Sequence, residues 1–178
     1  KNITTLICCP INKSAVIIPP TVTKIENYAF EECSFLTSIT IPNSVTKFGR
    51  HVFKNCSSLV SVTISNSVTK IESGTFVGCS SLTSITIPNS VVEIGHSAFQ
   101  SCSSLISVTI PNSVTKIGTF AFSDCLSLIS ITIPNSVTEV GNLAFHNCPS
   151  LSLKSLNRRP PHVEGQLISN YCILNVLK

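Results

Sequence analysis

The first feature with chemical potential in this chain of 178 residues is the spacing of six of its nine cysteines. Thiolates act as nucleophiles and bind zinc. Zinc ligands usually converge from short spacings such as C-x2-C, so a constant long interval argues against a metal centre. Each of the six stands 23 residues from the next: Cys33, Cys56, Cys79, Cys102, Cys125 and Cys148.

A constant interval indicates a repeat, and stacked parallel strands would place equivalent cysteines about 4.8 Å apart. A disulfide can span that separation. We predict buried thiols instead, because every unit offers one cysteine at the same inward position and a thiol behaves as a small hydrophobe. Cys8, Cys9 and Cys172 stand outside this column, and their disulfide state is left open.

Other groups suited to catalysis are few. Asp124 is the only aspartate, and the four histidines (His51, His96, His146 and His162) occupy different positions of the repeat. No nucleophile motif accompanies them. We therefore predict no enzymatic activity, catalytic residue, cofactor or metal, and we expect His51 and His96 to be solvated.

Two further columns keep the same step as the cysteines. Phenylalanines lie three residues before each cysteine, at Phe30, Phe53, Phe76, Phe99, Phe122 and Phe145. Leucines lie three residues after each cysteine, at Leu36, Leu59, Leu82, Leu105, Leu128 and Leu151. A period between 20 and 50 residues is typical of solenoids and related arrays. We predict that the phenylalanines form a stacked core.

Within one unit, the pattern predicts a strand, a turn and a second extended segment. Residues 82–87 end in alternating apolar and hydroxyl side chains, which is typical of a half-buried strand. Pro88 then ends the strand, since proline cannot donate to the ladder. Val91 and Ile94 predict the second segment, and residues 97–102 leave room for about one helical turn.

This unit has the layout of a leucine-rich repeat, and it resembles the repeats of the BspA-like leucine-rich-repeat family. The shared pattern is leucine, two spaced aliphatic residues, proline, a later Ala-Phe and a cysteine, over roughly residues 13–153. The resemblance implies a non-catalytic surface or secreted protein that adheres to host matrix proteins, cell surfaces or glycans. The predicted fold is a β-rich α/β solenoid, a right-handed parallel stack of 23-residue units with short helical turns.

We divide the chain into three parts. Residues 1–24 form an amino-terminal cap with a worn repeat and an extra strand at Thr4–Cys9, because the first unit of a solenoid needs a covered outer face. Residues 25–153 hold the regular repeats, and residues 154–178 hold a degenerate last unit. A chain that begins with Lys1 and contains no methionine is expected to be part of a longer protein.

Composition excludes some classes of partner. Hydrophobic residues make up 43% of the chain and charged residues 11%, with a net charge of +4. The lysines are scattered and no basic run is interleaved with aromatics, so we predict no nucleic-acid binding. No apolar run reaches the roughly 18 residues that a membrane span needs, and no signal-peptide pattern is present.

The candidate binding surface is the outward side of the predicted strands, which carries two rows of hydroxyls. One row is Ser38, Ser61, Ser84, Ser107 and Ser130, and the other is Thr40, Thr63, Thr86, Thr109 and Thr132. Ile106, with Val60 and Ile129, is predicted to lie exposed beside them. A further column of Asn43, Asn66, Asn89, Asn112 and Asn135 is interpreted as a turn ladder whose amides bond neighbouring backbone.

We predict that this uncharged face binds a host matrix or cell-surface protein, or a glycan. The alternatives are a structural spacer in a longer array and, third, ice binding by the ordered hydroxyl rows. Sequons at Asn2, Asn12 and Asn55 permit N-glycosylation if the chain is secreted.

Overall fold

The computed structural model describes residues 4–8 and 12–151. This part of the chain contains thirteen β-strands, and no helix occurs within it. Six strands of three residues form the first face: β2 (Ala15–Ile17), β4 (Ser38–Thr40), β6 (Ser61–Thr63), β8 (Ser84–Thr86), β10 (Ser107–Thr109) and β12 (Ser130–Thr132). Seven of two residues form the second: β1 (Thr5–Leu6), β3 (Lys24–Ile25), β5 (Lys47–Phe48), β7 (Lys70–Ile71), β9 (Glu93–Ile94), β11 (Lys116–Ile117) and β13 (Glu139–Val140).

All paired strands are parallel, and from the second unit onward equivalent residues of successive units stand opposite each other. Thr109 of β10, for example, pairs with Thr86 on one side and Thr132 on the other. The first face consists of two sheets, β2-β4-β6 and β12-β10-β8, and the second of β1-β3-β5 and β13-β11-β9-β7. The predicted parallel solenoid with a 23-residue step is confirmed.

The second face is interrupted between β5 and β7, which are not paired with each other. In most units a glycine follows the short strand and lies against the preceding unit: a Cβ added at Gly118 would come within 2.6 Å of the carbonyl carbon of Gly95. The unit of β7 has Glu72 at this position in place of glycine. A groove of about 410 Å³, lined by Phe48 and Thr69 among others, opens at the interruption.

The interior is filled by one large aromatic ring per unit. The six phenylalanines of the column are buried, and successive rings from Phe30 to Phe145 stack with centroids 5.0–5.5 Å apart. Burying such a side chain stabilises the fold by roughly 1.5–3 kcal/mol. The cysteine and leucine columns are buried beside it. The sequence-based assignment of these columns to the core is confirmed.

The prediction of a helical turn at residues 97–102 was wrong. The backbone of Ser97 and Ser101 is left-handed, with φ of 53° and 60°, which a right-handed helix excludes. Backbone N–H groups in this segment donate alternately to carbonyls of their own turn and to carbonyls of the next unit. Gln100 donates within its own turn to Ser97, whereas Phe99 donates to Ala121 of the next unit. Bonding between units therefore replaces the continuous helical pattern.

At the amino terminus, the predicted extra strand is present but shorter than expected. Among the described residues of this stretch, 4–8, only Thr5–Leu6 is a strand, and it extends the second face by pairing with Lys24 and Ile25. The predicted degenerate unit at residues 154–178 lies outside the described residues, so the three-part division of the chain stays a prediction.

Candidate functional site

The candidate binding surface, here called the strand face, is formed by the three-residue strands of the first face. Side chains alternate along each strand, so the middle residue points into the core and its two neighbours point out. In β8, Ile85 is buried, whereas Ser84 and Thr86 are exposed. The structure places all ten predicted hydroxyl residues on this face, in register within each of its two sheets, nine of them exposed and Ser130 half-buried.

The strand face carries no charged side chain in β4, β6, β8, β10 or β12. The turns after these strands, which are Pro-Asn-Ser except for Ser-Asn-Ser after β6, are also uncharged. Charge is concentrated on the second face, where the short strands carry Lys47, Lys70, Glu93 and Lys116. Some of these charges are paired across units: Lys70 Nζ lies 3.2 Å from Glu93, and Lys116 Nζ 2.9 Å from Glu139. The hydrogen bond to the Glu139 carboxylate raises the pKa of Lys116.

Three shallow grooves run along the strand face. One of about 500 Å³ lies over β2, β4 and β6 and is lined by Thr40 and Thr63. A second of about 410 Å³ lies over β8 and β10 beside Thr86. The third, of about 510 Å³, lies where Thr109 and Thr132 meet the turns after β10 and β12. A partner on this face would therefore contact hydroxyls from several units at once.

One margin of the strand face is apolar, as predicted. Val60, Ile106 and Ile129 are exposed by 47%, 47% and 56%. Sequence reasoning missed Ile17, which is 92% exposed in β2, and Leu126, which is 45% exposed before β12. The signal at Ile17 was available, because an isoleucine stands there where the following units have threonine.

The interpretation of the asparagine column as a hydrogen-bonded turn ladder was wrong. Asn43, Asn66, Asn89, Asn112 and Asn135 are all exposed, and none of their amides makes a hydrogen bond within the described residues. In three of the turns, the serine that follows the asparagine makes the hydrogen bond to the backbone of the neighbouring unit. Ser113 Oγ, for instance, donates to the carbonyl of Val91 in the preceding unit at 2.6 Å.

The cysteine column consists of buried thiols, and no disulfide joins its members. Each thiol from Cys56 onward donates to the carbonyl of the phenylalanine 26 residues earlier, as Cys102 Sγ does to Phe76 at 3.2 Å. Burial raises the pKa of Cys102 well above its ordinary value. The cysteine column is therefore a structural element whose thiols stay largely protonated. Cys8 is exposed, while Cys9 and Cys172 lie outside the described residues.

The histidines do not converge on a site. His96 and His146 are exposed. His51 is half-buried, and so less solvated than expected, with its ring stacked on Tyr28 at 5.1 Å. Its Nδ1 is buried without a hydrogen-bond partner, and desolvation lowers the pKa of His51. Residues 4–8 and 12–151 contain no group of three His, Cys, Asp or Glu side chains that could hold a metal ion. His162 lies outside the described residues.

Two of the three sequons fall in the described part of the chain. Asn12 and Asn55 are both exposed, and the backbone of Asn55 is left-handed, with a φ of 60°. Cys56, the middle residue of the second sequon, is buried in the core. Asn2 lies outside the described residues. Glycosylation at all three stays a prediction.

Three comparisons place this geometry among known proteins. The sequence profile of the BspA type leucine rich repeat region matches residues 7–111 and 73–175, with six copies. The solved structure of a leucine-rich repeat protein from T. pallidum is similar, with a TM-score of 0.75, 28% identity and coverage of 85% of this chain and 84% of that one. A search of curated proteins finds no match.

Two further solved structures share the fold and more of the sequence. A leucine-rich repeat protein from Bacteroides ovatus is 38% identical, with a TM-score of 0.72 over 78% of this chain and 36% of that one. A leucine rich cell surface protein from Faecalibacterium prausnitzii is 34% identical, with a TM-score of 0.58 over 85% of this chain and 47% of that one. This chain thus spans less than half of either protein.

No helix occurs among the described residues, so none there could span a membrane. The repeat pattern, the in-register parallel stack and the profile match over nearly the whole length agree with one another. The chain belongs to the BspA-type leucine-rich-repeat family.

Proposed function

We propose that the protein is a non-catalytic binding module, displayed at a cell surface or secreted, whose strand face adheres to a host matrix protein, a cell-surface protein or a glycan. The observation that carries the proposal is the strand face itself. Six units present their outward side chains there, in register within two three-stranded sheets, and nothing in the described chain covers them. Repeat proteins use such extended stacked surfaces to contact their partners.

The chemistry of the strand face supports contact with a neutral, hydrogen-bonding partner. Hydroxyls donate and accept, and the exposed Ile106 and Ile129 add apolar area at one margin. Surface display is supported by the similar protein of F. prausnitzii, which is a cell surface protein.

The test is binding of the purified chain to a panel of extracellular matrix proteins and to a printed glycan array. Thr86→Arg with Thr109→Arg would place two long cations in the centre of the strand face. We expect at least one partner to bind the native chain, and the double variant to lose it through steric blocking while the fold survives, because exposed strand substitutions cost less than about 1 kcal/mol.

The chain offers a matched control on the second face. Thr115 and Thr138 are also exposed threonines in neighbouring units, so Thr115→Arg with Thr138→Arg adds the same charge elsewhere. Binding should persist in this control. Equal loss in both variants would remove the strand face as the site. A native chain that binds nothing on either panel but associates with itself would favour the structural spacer.

A further inference from the structure

The turn after each strand of the strand face does not need the asparagine that it contains. In the turn after β10, the N–H of Val114 donates to Pro111 at 3.1 Å, and Ser113 locks the turn to the preceding unit. Asn112 is exposed, and its backbone is not left-handed. Neither hydrogen bonding nor backbone conformation therefore uses its carboxamide.

The same surplus amide recurs in the flanking turns. Ser90 Oγ donates to Val68 at 2.6 Å and Ser136 Oγ to Val114 at 2.8 Å, while Asn89 and Asn135 make no hydrogen bond within the described chain. Stacked parallel strands repeat at about 4.8 Å. The three turns thus present a row of unsatisfied amides at that interval.

These amides form one wall of the groove that lies over the turns after β10 and β12. The groove, of about 510 Å³, lies between the asparagines and the hydroxyls of Thr109 and Thr132. Pro111 and Pro134 provide apolar surface between the two polar rows. The volume lies in the range of roughly 300–1,000 Å³ that is usual for small-molecule sites.

The lining identifies a class of ligand. It contains no charged residue, so a charged ligand would lose hydration here without an opposite charge to offset the loss. A carboxamide offers two donors and an acceptor, and a hydroxyl offers both. Sugar hydroxyls also donate and accept. We infer that this groove binds an uncharged oligosaccharide. The inference rests on the proposed function, since it names the ligand class for one part of the strand face.

An extended peptide fits the row of amides less well. Its backbone groups on one side repeat every two residues, or about 6.6–6.8 Å, against about 4.8 Å for the units of the solenoid. A chain of pyranose rings carries hydroxyls on both edges of every ring, so several pairings satisfy the row. The spacing therefore favours the oligosaccharide.

The experiment uses a printed array of neutral oligosaccharides of glucose, galactose, mannose and N-acetylglucosamine, with sialylated and sulfated oligosaccharides beside them. The native chain should bind neutral members and leave the acidic ones. The triple change Asn89→Ala, Asn112→Ala and Asn135→Ala should weaken binding about tenfold or more, because three hydrogen bonds are lost. Its melting temperature should stay within about 2 °C of native.

The same change can be made in two units outside the groove. Asn43→Ala with Asn66→Ala should leave binding unchanged, because neither residue lines the groove. Unchanged binding in the triple variant would overturn the inference, as would a native chain that binds only acidic glycans, peptides or matrix proteins, although the proposed function would stand. A native chain that binds nothing on this array or on the panel of matrix proteins would overturn both.

Discussion

The strand face lies on the surface of each 23-residue unit and the phenylalanine column lies in its interior, and both repeat with little variation. Contacts account for the buried side. Each ring stacks on the next at 5.0–5.5 Å, and each thiol from Cys56 onward bonds the carbonyl of a phenylalanine. The strand face has no comparable contacts, since its hydroxyls and amides point to solvent.

The difference shows that the fold requires the repeated residues of the core but not those of the strand face. A cavity or an unpaired carbonyl would follow from most changes at Phe76 or Cys102. Replacing Thr86 or Asn112 would leave neither, because both are exposed. The residues that the fold does not require are therefore the ones available to a partner. Each prediction below tests one side of this comparison.

The largest effect is expected from Phe76→Ala. The ring of Phe76 is fully buried between Phe53 and Phe99, which cannot both collapse into the space that it leaves. Truncation should cost about 3–5 kcal/mol. The measurement is the free energy of unfolding in urea, with Thr86→Ala as the exposed control. A midpoint that hardly moves would contradict the assignment of the ring column to the core.

A pH-dependent effect, smaller for each thiol than the loss at Phe76, should come from the cysteine column. Burial raises the pKa of Cys102 well above 9.0 and that of Cys148 to about 12. The unfolded chain therefore loses its thiol protons first, and stability declines as the pH rises above 9.0, by up to about 1.4 kcal/mol per pH unit for each buried thiol.

Urea unfolding at pH values from 8 to about 10.5 would measure this slope. In Cys102→Ala the dependence of unfolding free energy on pH should decrease by the contribution of one thiol. This decrease does not depend on how much stability the variant loses at neutral pH. A native midpoint that stays constant across this range would show that the thiols are solvated.

The smallest effect is expected from charge reversal on the second face. Lys47→Glu with Lys116→Glu should hardly change stability, because exposed ion pairs contribute little. Partner binding should also persist, and added salt should weaken it only slightly, since the strand face is uncharged. Binding that disappears with the reversals but survives Thr86→Arg with Thr109→Arg would move the site to the second face.

Much of the fold could be predicted because each core column consists largely of a single residue type. The residue types of Phe76, Cys79 and Leu82 recur at one constant interval. Burial in a common core is the arrangement that removes all of these apolar side chains from water. The strand of Ser84–Thr86 follows from alternation alone.

Other features depend on contacts between units that residue type does not reveal. The left-handed backbone of Ser97 and Ser101 accompanies backbone hydrogen bonds to the next unit. A serine in the sequence does not indicate this conformation. Likewise, asparagine and serine both suit a turn, so the sequence could not show that Ser113 bonds the backbone and Asn112 does not. The exposed residues of the strand face were predicted, whereas the groove beside the asparagines emerges only when three units are stacked.

The most direct test of the strand face as the binding surface is protection of single cysteines introduced on either face. Thr109→Cys would place a reactive thiol on the strand face and Thr138→Cys one on the second face, while the buried column reacts slowly. Alkylation would be followed by peptide mass spectrometry, with and without the partner that the native chain selects. We predict that the partner slows alkylation at residue 109 and leaves residue 138 unchanged. Protection at residue 138 alone would contradict the account.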